Sequence, residues 1–152
     1  MGSTLYDTDY YAWTQEQAER LRLMTGDNRI DAAHLAEEVE DLGRSEFYAA
    51  ASFVELILQH FLKIEFSGLH DPLDHWGNEI GIFRLRLEER LTPTLRGKIA
   101  ATLDRRYALA RREAVKALGD VGRLRARVPE TCPYTLDQVL DAAWLPEPRP
   151  VP

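Results

Sequence analysis

A chain of 152 residues with 45% apolar and 29% charged side chains is long enough to bury a core of its own, and it lacks the polar, highly charged composition of a disordered chain. The net charge is −6, and the one cysteine, Cys132, cannot form an internal disulfide, which fits a reducing compartment. The opening Met1-Gly2-Ser3-Thr4-Leu5-Tyr6-Asp7 lacks the basic and then apolar segments of a secretory leader, and no run approaches the ~18 apolar residues of a membrane span, so a cytoplasmic protein without membrane contact is expected.

Between Asp9 and Leu23 there is neither Gly nor Pro, and Tyr10, Trp13, Gln17, Leu21 and Met24 recur at steps of three and four, which predicts a first amphipathic helix. Asp7, Thr8 and Asp9 are all able to cap its start, and Thr25-Gly26-Asp27-Asn28 stops it. Asp31 is placed to cap a second helix, with Leu35, Val39, Leu42, Ala49, Phe53, Leu56 and His60 on the helical period as far as Phe66. Gly43 in its middle implies either a kink or the close passage of another backbone. From Phe53 to Leu62 the helix is apolar nearly all round, so it should be covered on more than one side, at the centre of the fold.

Ser67 to Pro72 break the pattern, and Asp74 is placed to cap a third helix carrying Trp76, Ile80, Phe83, Leu87 and Leu91. Thr92-Pro93 reads as a cap with proline at the first helical position. The fourth helix then carries Leu95, Ile99, Leu103, Tyr107, Ala110, Ala114 and Leu118 on one stripe, with Lys98, Arg105, Arg112 and Lys116 opposite, until Gly119. A short helix from Thr135 to Ala143 precedes a proline-rich tail, expected to fray. No segment alternates like a strand. The reading is all-α: a single domain over 1–152, an antiparallel bundle of about four helices with a short C-terminal helix, irregular at 1–8 and 146–152.

Three segments resemble a bacterial helical family known as domain of unknown function twenty-nine. They are Leu5-Tyr6-Asp7-Thr8-Asp9-Tyr10-Tyr11-Ala12-Trp13-Thr14, Leu35-Ala36-Glu37-Glu38-Val39-Glu40-Asp41-Leu42-Gly43-Arg44-Ser45-Glu46, and Pro129-Glu130-Thr131-Cys132-Pro133-Tyr134-Thr135-Leu136. His60 and Lys63 also fall where the family has a histidine and a lysine. The resemblance implies an all-helical domain and no particular activity. The third helix departs from the family: Trp76 and Arg84 match, whereas Gly77, Gly81 and Phe83 replace polar positions.

The strongest chemical candidate is the run Glu37-Glu38-Val39-Glu40-Asp41 followed by Arg44 and Ser45, with His34 one turn earlier. Helical spacing lets paired carboxylates share a metal or a proton, so His34, Glu37, Glu38 and Asp41 are candidate metal ligands. Glu38, Asp41, Arg44 and His60 are candidate catalytic groups. The plainer alternative is a solvated face with a Glu40–Arg44 ion pair, and the chain has no Glu-x-x-His of the di-metal bundles. His60 in its apolar stretch is either a neutral base or a core residue satisfied locally.

His70, Asp71, Asp74 and His75 match no standard zinc spacing. Cys132 is expected to be a small buried residue, and Trp13, Trp76 and Trp144 core or docking residues. Phosphate-loop, zinc-protease and serine-elbow motifs are lacking, and no cofactor is indicated.

Residues 1–66 hold 13 acidic and 5 basic side chains, and residues 84–127 hold 5 and 13. An acidic helix layer beside a basic one accounts for this, and nucleic-acid binding through Arg84, Arg86, Lys98, Arg105, Arg106, Arg112 and Lys116 is disfavoured by the overall acidity. The functional expectation is a non-enzymatic protein-interaction module with a protein partner or as a homodimer. A metal-dependent or acid–base enzyme built on the acidic cluster is the alternative, and nucleic-acid binding the third.

Overall fold

The computed structural model describes residues 4–69, 73–119 and 127–150. Among them are α1 (Leu5–Thr8), α2 (Tyr10–Arg22), α3 (Ala32–Phe66), α4 (Leu73–Glu88), α5 (Pro93–Ala101), α6 (Leu103–Ala117) and α7 (Leu136–Leu140), and no strand. Two compact units emerge, Met1–Ala50 with Arg90–Ile99, and Ala51–Glu89 with Ala100–Pro152; α3 contributes to both.

In the first unit, the residues expected to cap one helix divide the work. Thr4 donates from its N–H (3.2 Å) and hydroxyl (2.7 Å) to the Asp7 carboxylate, which closes the one-turn α1 where irregular chain was expected. Asp9 caps α2, accepting from the N–H of Ala12 (3.0 Å), and its second oxygen accepts from the N–H of Thr94 (2.9 Å). One buried carboxylate thus satisfies the amino ends of α2 and α5. Burial alone would raise the Asp9 pKa, but these hydrogen bonds outweigh it and hold the group below its ordinary value.

Gly43 marks a close approach, by side chains rather than by a backbone. A Cβ there would lie 2.2 Å from Thr14 Oγ1 and 3.3 Å from Thr14 Cβ. Thr14 is fully buried, and its hydroxyl already donates to the carbonyl of Tyr11 (2.6 Å), so it has little freedom to move aside.

The inner line of this half of α3 is therefore Ala36, Gly43 and Ala50, all buried. This corrects the stripe expected from the sequence: Leu35 and Leu42 are 44% and 50% exposed, because small residues let α2 come close and turn the leucines outward.

In the second unit α3 carries Val54, Ile57, Leu58, Phe61 and Leu62, all at 0% exposure, which agrees with coverage on several sides. By length and composition α3 also contains a window apolar enough to cross a membrane, contrary to expectation, and half of that window is buried in the fold. Ile80 and Leu87 of α4 are likewise buried. Asp74 lies inside the first turn of α4, so it does not cap it.

Thr92 caps α5 as expected, its hydroxyl accepting from the N–H of Leu95 (3.2 Å). The single fourth helix of the sequence reading is in fact two, broken at Thr102 (φ −111°, ψ 12°). The apolar stripe runs on through the break, which explains why periodicity did not reveal it.

Residues 128–150 belong to the second unit and bury Val128, Tyr134, Val139 and Pro146. Tyr107 donates to the carbonyl of Pro129 (2.5 Å), and Arg111 Nε to the same oxygen (2.9 Å). Thr135 and Gln138 form a reciprocal capping box for α7. This helix stops at Leu140, short of the expected Ala143, because the Asp141 carboxylate takes the N–H of Ala143 (2.9 Å) in a side-chain turn. Arg84 of α4 reaches this segment, donating to the carbonyls of Val139 (2.9 Å), Gln138 (3.0 Å) and Trp144 (2.8 Å).

Residues 146–150 have no regular structure but are not frayed. Arg149 donates from its N–H to the carbonyl of Glu65 (2.8 Å) and from Nε to its carboxylate (2.7 Å), and Pro146 is buried.

The Gly43–Thr14 contact sets a test. Gly43→Ala gains about 1 kcal/mol of helix propensity, yet overpacking costs about 1–3 kcal/mol, so the variant should be less stable than the parent by up to about 2 kcal/mol net. Adding Thr14→Ala should recover most of that loss. Urea unfolding of the two variants measures both; a single variant more stable than the parent would refute the close contact.

Candidate functional site

Helical spacing brings a concave site of the first unit together. Tyr11 and Gln15 are one turn apart on α2; Glu40, Arg44, Phe47 and Tyr48 follow one another on α3; Lys98 comes from α5. They line a cavity of about 300 Å³. Lys98 Nζ donates to the Tyr11 hydroxyl (2.7 Å) and sits 4.9 Å and 5.3 Å from the ring centres of Tyr11 and Phe47, so the cation lies at the hydroxyl edge of one ring and beside the other. Glu40 accepts from Arg22 Nη2 (2.7 Å), and Arg44 Nη1 donates to Asp41 (2.7 Å), in place of the expected Glu40–Arg44 pair.

The candidate metal ligands do not assemble a site. Asp31, the residue that begins the helix, accepts from the N–H of His34 and pairs with its Nδ1 (2.6 Å). That bond holds Asp31 below its ordinary pKa and raises that of His34. Glu37, Glu38 and Asp41 are exposed, and no group of three or more metal-ligating side chains occurs among the described residues. Arg44 and His60 lie sixteen residues apart on α3, about 24 Å at the helical rise, with Asp41 and Glu38 still further away. The four candidate catalytic residues are therefore not brought together.

His60 belongs to the second unit and has partners the sequence did not suggest. It is 6% exposed; Nδ1 donates to the carbonyl of Leu56 (2.8 Å), and Nε2 lies 2.6 Å from Glu79 Oε2. The other Glu79 oxygen lies 3.3 Å from Nε2 of His75. The hydrogen bond with His60 is the largest influence on Glu79 and holds its carboxyl below the usual range. A second cavity, about 310 Å³, is lined by Lys63, Ser67, Leu69, Trp76, Ala117 and Leu118.

His70 and Asp71 lie outside the described residues. Cys132 is half-buried; burial raises its thiol pKa, and Sγ donates to the carbonyl of Tyr134 (3.3 Å). Trp144 meets Phe61 edge-on, while Trp13 packs against Tyr6 and Tyr10. Of the basic residues considered for nucleic acid, Arg84 and Arg106 are buried; Arg106 Nη1 donates to Glu55 (2.8 Å). Cross-element pairs such as Arg106–Glu55 and Arg90–Glu46 are where the acidic and basic halves of the sequence meet.

A family profile described as domain of unknown function DUF29 matches residues 5–145. The chain belongs to this family. Two of the three segments that carry the likeness, the first from α1 and α2 and the second from α3, supply three of the seven residues lining the first unit's cavity, Tyr11, Glu40 and Arg44.

Among solved structures, the chain is similar to an alpha-helical protein of unknown function from Rhodospirillum rubrum. Identity is 26%, the match covers 94% of this chain and 93% of that one, and the TM-score is 0.79. No curated protein matches.

Glu79 supplies a pH test. Its pKa is depressed in the folded state, so its contribution is complete above the unfolded value and disappears as pH falls through the folded one. Glu79→Gln should therefore be less stable than the parent at neutral pH. The gap should begin to narrow as pH falls below about 4, the ordinary carboxylate range, and close only below the depressed folded value. Thermal unfolding of both proteins across pH checks this; a gap that does not change with pH would refute the coupling.

Proposed function

We propose that this chain is a non-enzymatic protein-interaction module whose partner docks along the flank of α3 bearing Leu35, Val39 and Leu42. One observation carries the reading: Leu35 and Leu42, seven residues apart on one helix face, stand 44% and 50% exposed while small residues occupy the inner line. An apolar pair at heptad spacing is the seam that helix pairs use, and large exposed apolar groups mark contact surfaces. Glu38 and Asp31 border this seam, and both are exposed. A partner helix with leucine-like anchors and a Lys/Arg border complements it, whereas a second copy of this face sets acid against acid.

Titration with two fluorescent helical peptides, alike in their leucines but bordered by Lys or by Glu, tests the reading. The Lys peptide should bind and the Glu peptide should not. Leu35→Glu with Leu42→Glu should weaken binding by on the order of tenfold or more, as loss of two anchors implies, with little change in stability at such exposed positions. Failure of both peptides with a monomeric protein would sink the proposal. Self-association abolished by the same double variant would instead assign the face to a homodimer.

A further inference from the structure

The cavity of the first unit holds a feature that the docking flank does not use. Its floor is aromatic, from Tyr11 and Phe47, and Lys98 Nζ stands within 5.3 Å of both ring centres. On one wall Arg44 engages a single donor, Nη1 on Asp41 at 2.7 Å, and has no other partner among the described residues. A guanidinium has five N–H donors in a planar fork, a shape that matches a carboxylate or phosphate group.

Glu40 is the acid on the lining, and Arg22 compensates it at 2.7 Å. Tyr48, one turn beyond Arg44, is 55% exposed and packs near Phe47 with ring centres 5.5 Å apart. A cavity of about 300 Å³ is at the small end of ligand-sized sites.

We infer that this cavity binds a small organic anion, a carboxylate or phosphate monoester on a flat unsaturated body, with the anionic group at Arg44 and Lys98 and the flat body against Phe47 and Tyr48. The cations fix orientation and the rings accept the body by stacking. The inference goes beyond the protein-interaction reading and is tested separately from it.

Benzoate and phenyl phosphate are the probes, followed by backbone amide shifts in two-dimensional NMR. Benzyl alcohol serves as the uncharged control and Arg105→Gln, an exposed arginine of α6, as the control variant. Ligands of this size should bind with Kd of about 1 mM, and the shifts should centre on Tyr11, Gln15, Arg44, Phe47 and Lys98.

Arg44→Gln and Lys98→Met should each weaken binding by about tenfold, the worth of one charge-assisted hydrogen bond. Arg105→Gln should leave it unchanged. Absence of shifts with either anion, equal shifts with benzyl alcohol, or equal weakening by Arg105→Gln would overturn the inference. The map on the parent protein decides the matter even if a cavity variant fails to fold.

Discussion

The seating of Thr14 against Gly43 fixes the position of every group around the first unit's cavity. A hydrogen atom is all that fits on the Gly43 α-carbon facing α2, so α2 settles onto α3 along a line of small residues. Tyr11 lies one turn before the contact and Gln15 directly after it, which brings both opposite residues 40 to 48 of α3. Asp9, at the head of the same helix, holds the first turn of α5 through the Thr94 N–H and thereby sets Lys98 beside the aromatic floor. Packing, capping and the cation's placement form one sequence of dependencies.

The second unit follows a different rule. There α3 is apolar on most sides, and its cover comes partly from the end of the chain. Tyr134 lies against Phe61, Tyr107 and Trp144, and its hydroxyl donates to Glu65 (2.5 Å). Burial, and then the Glu65 carboxylate, push the tyrosine's ionisation far up, so the group is a permanent donor. Burial likewise raises Tyr107 to about 12. Glu65 joins the aromatic cluster to the tail, since it also receives Arg149.

The helices were legible because burial imposes a period near 3.6, and the bounds Ala32 to Phe66 follow directly from it. The face was harder. Leu35, Val39 and Leu42 have the right spacing but point beside the core, because Ala36 and Gly43 have the stronger claim to the inner line through their lack of bulk. The break at Thr102 left no sign, since neither Gly nor Pro marks it.

The acidic run could be seen but its pairings could not: Arg22 lies eighteen residues from Glu40, a separation no local rule links. The same applies to Glu79 and His60, nineteen residues apart on different helices. Tyr11 and Lys98 were each noticed, as a motif residue and as a basic one, yet only the fold puts them in one cavity.

Arg84 reads the main chain. Its three acceptors are carbonyl oxygens of Gln138, Val139 and Trp144, atoms that every amino acid supplies. The clamp itself therefore asks nothing of the side chains at those three places, which serve instead in the α7 capping box, in the core and against Phe61, while position 84 has no such latitude.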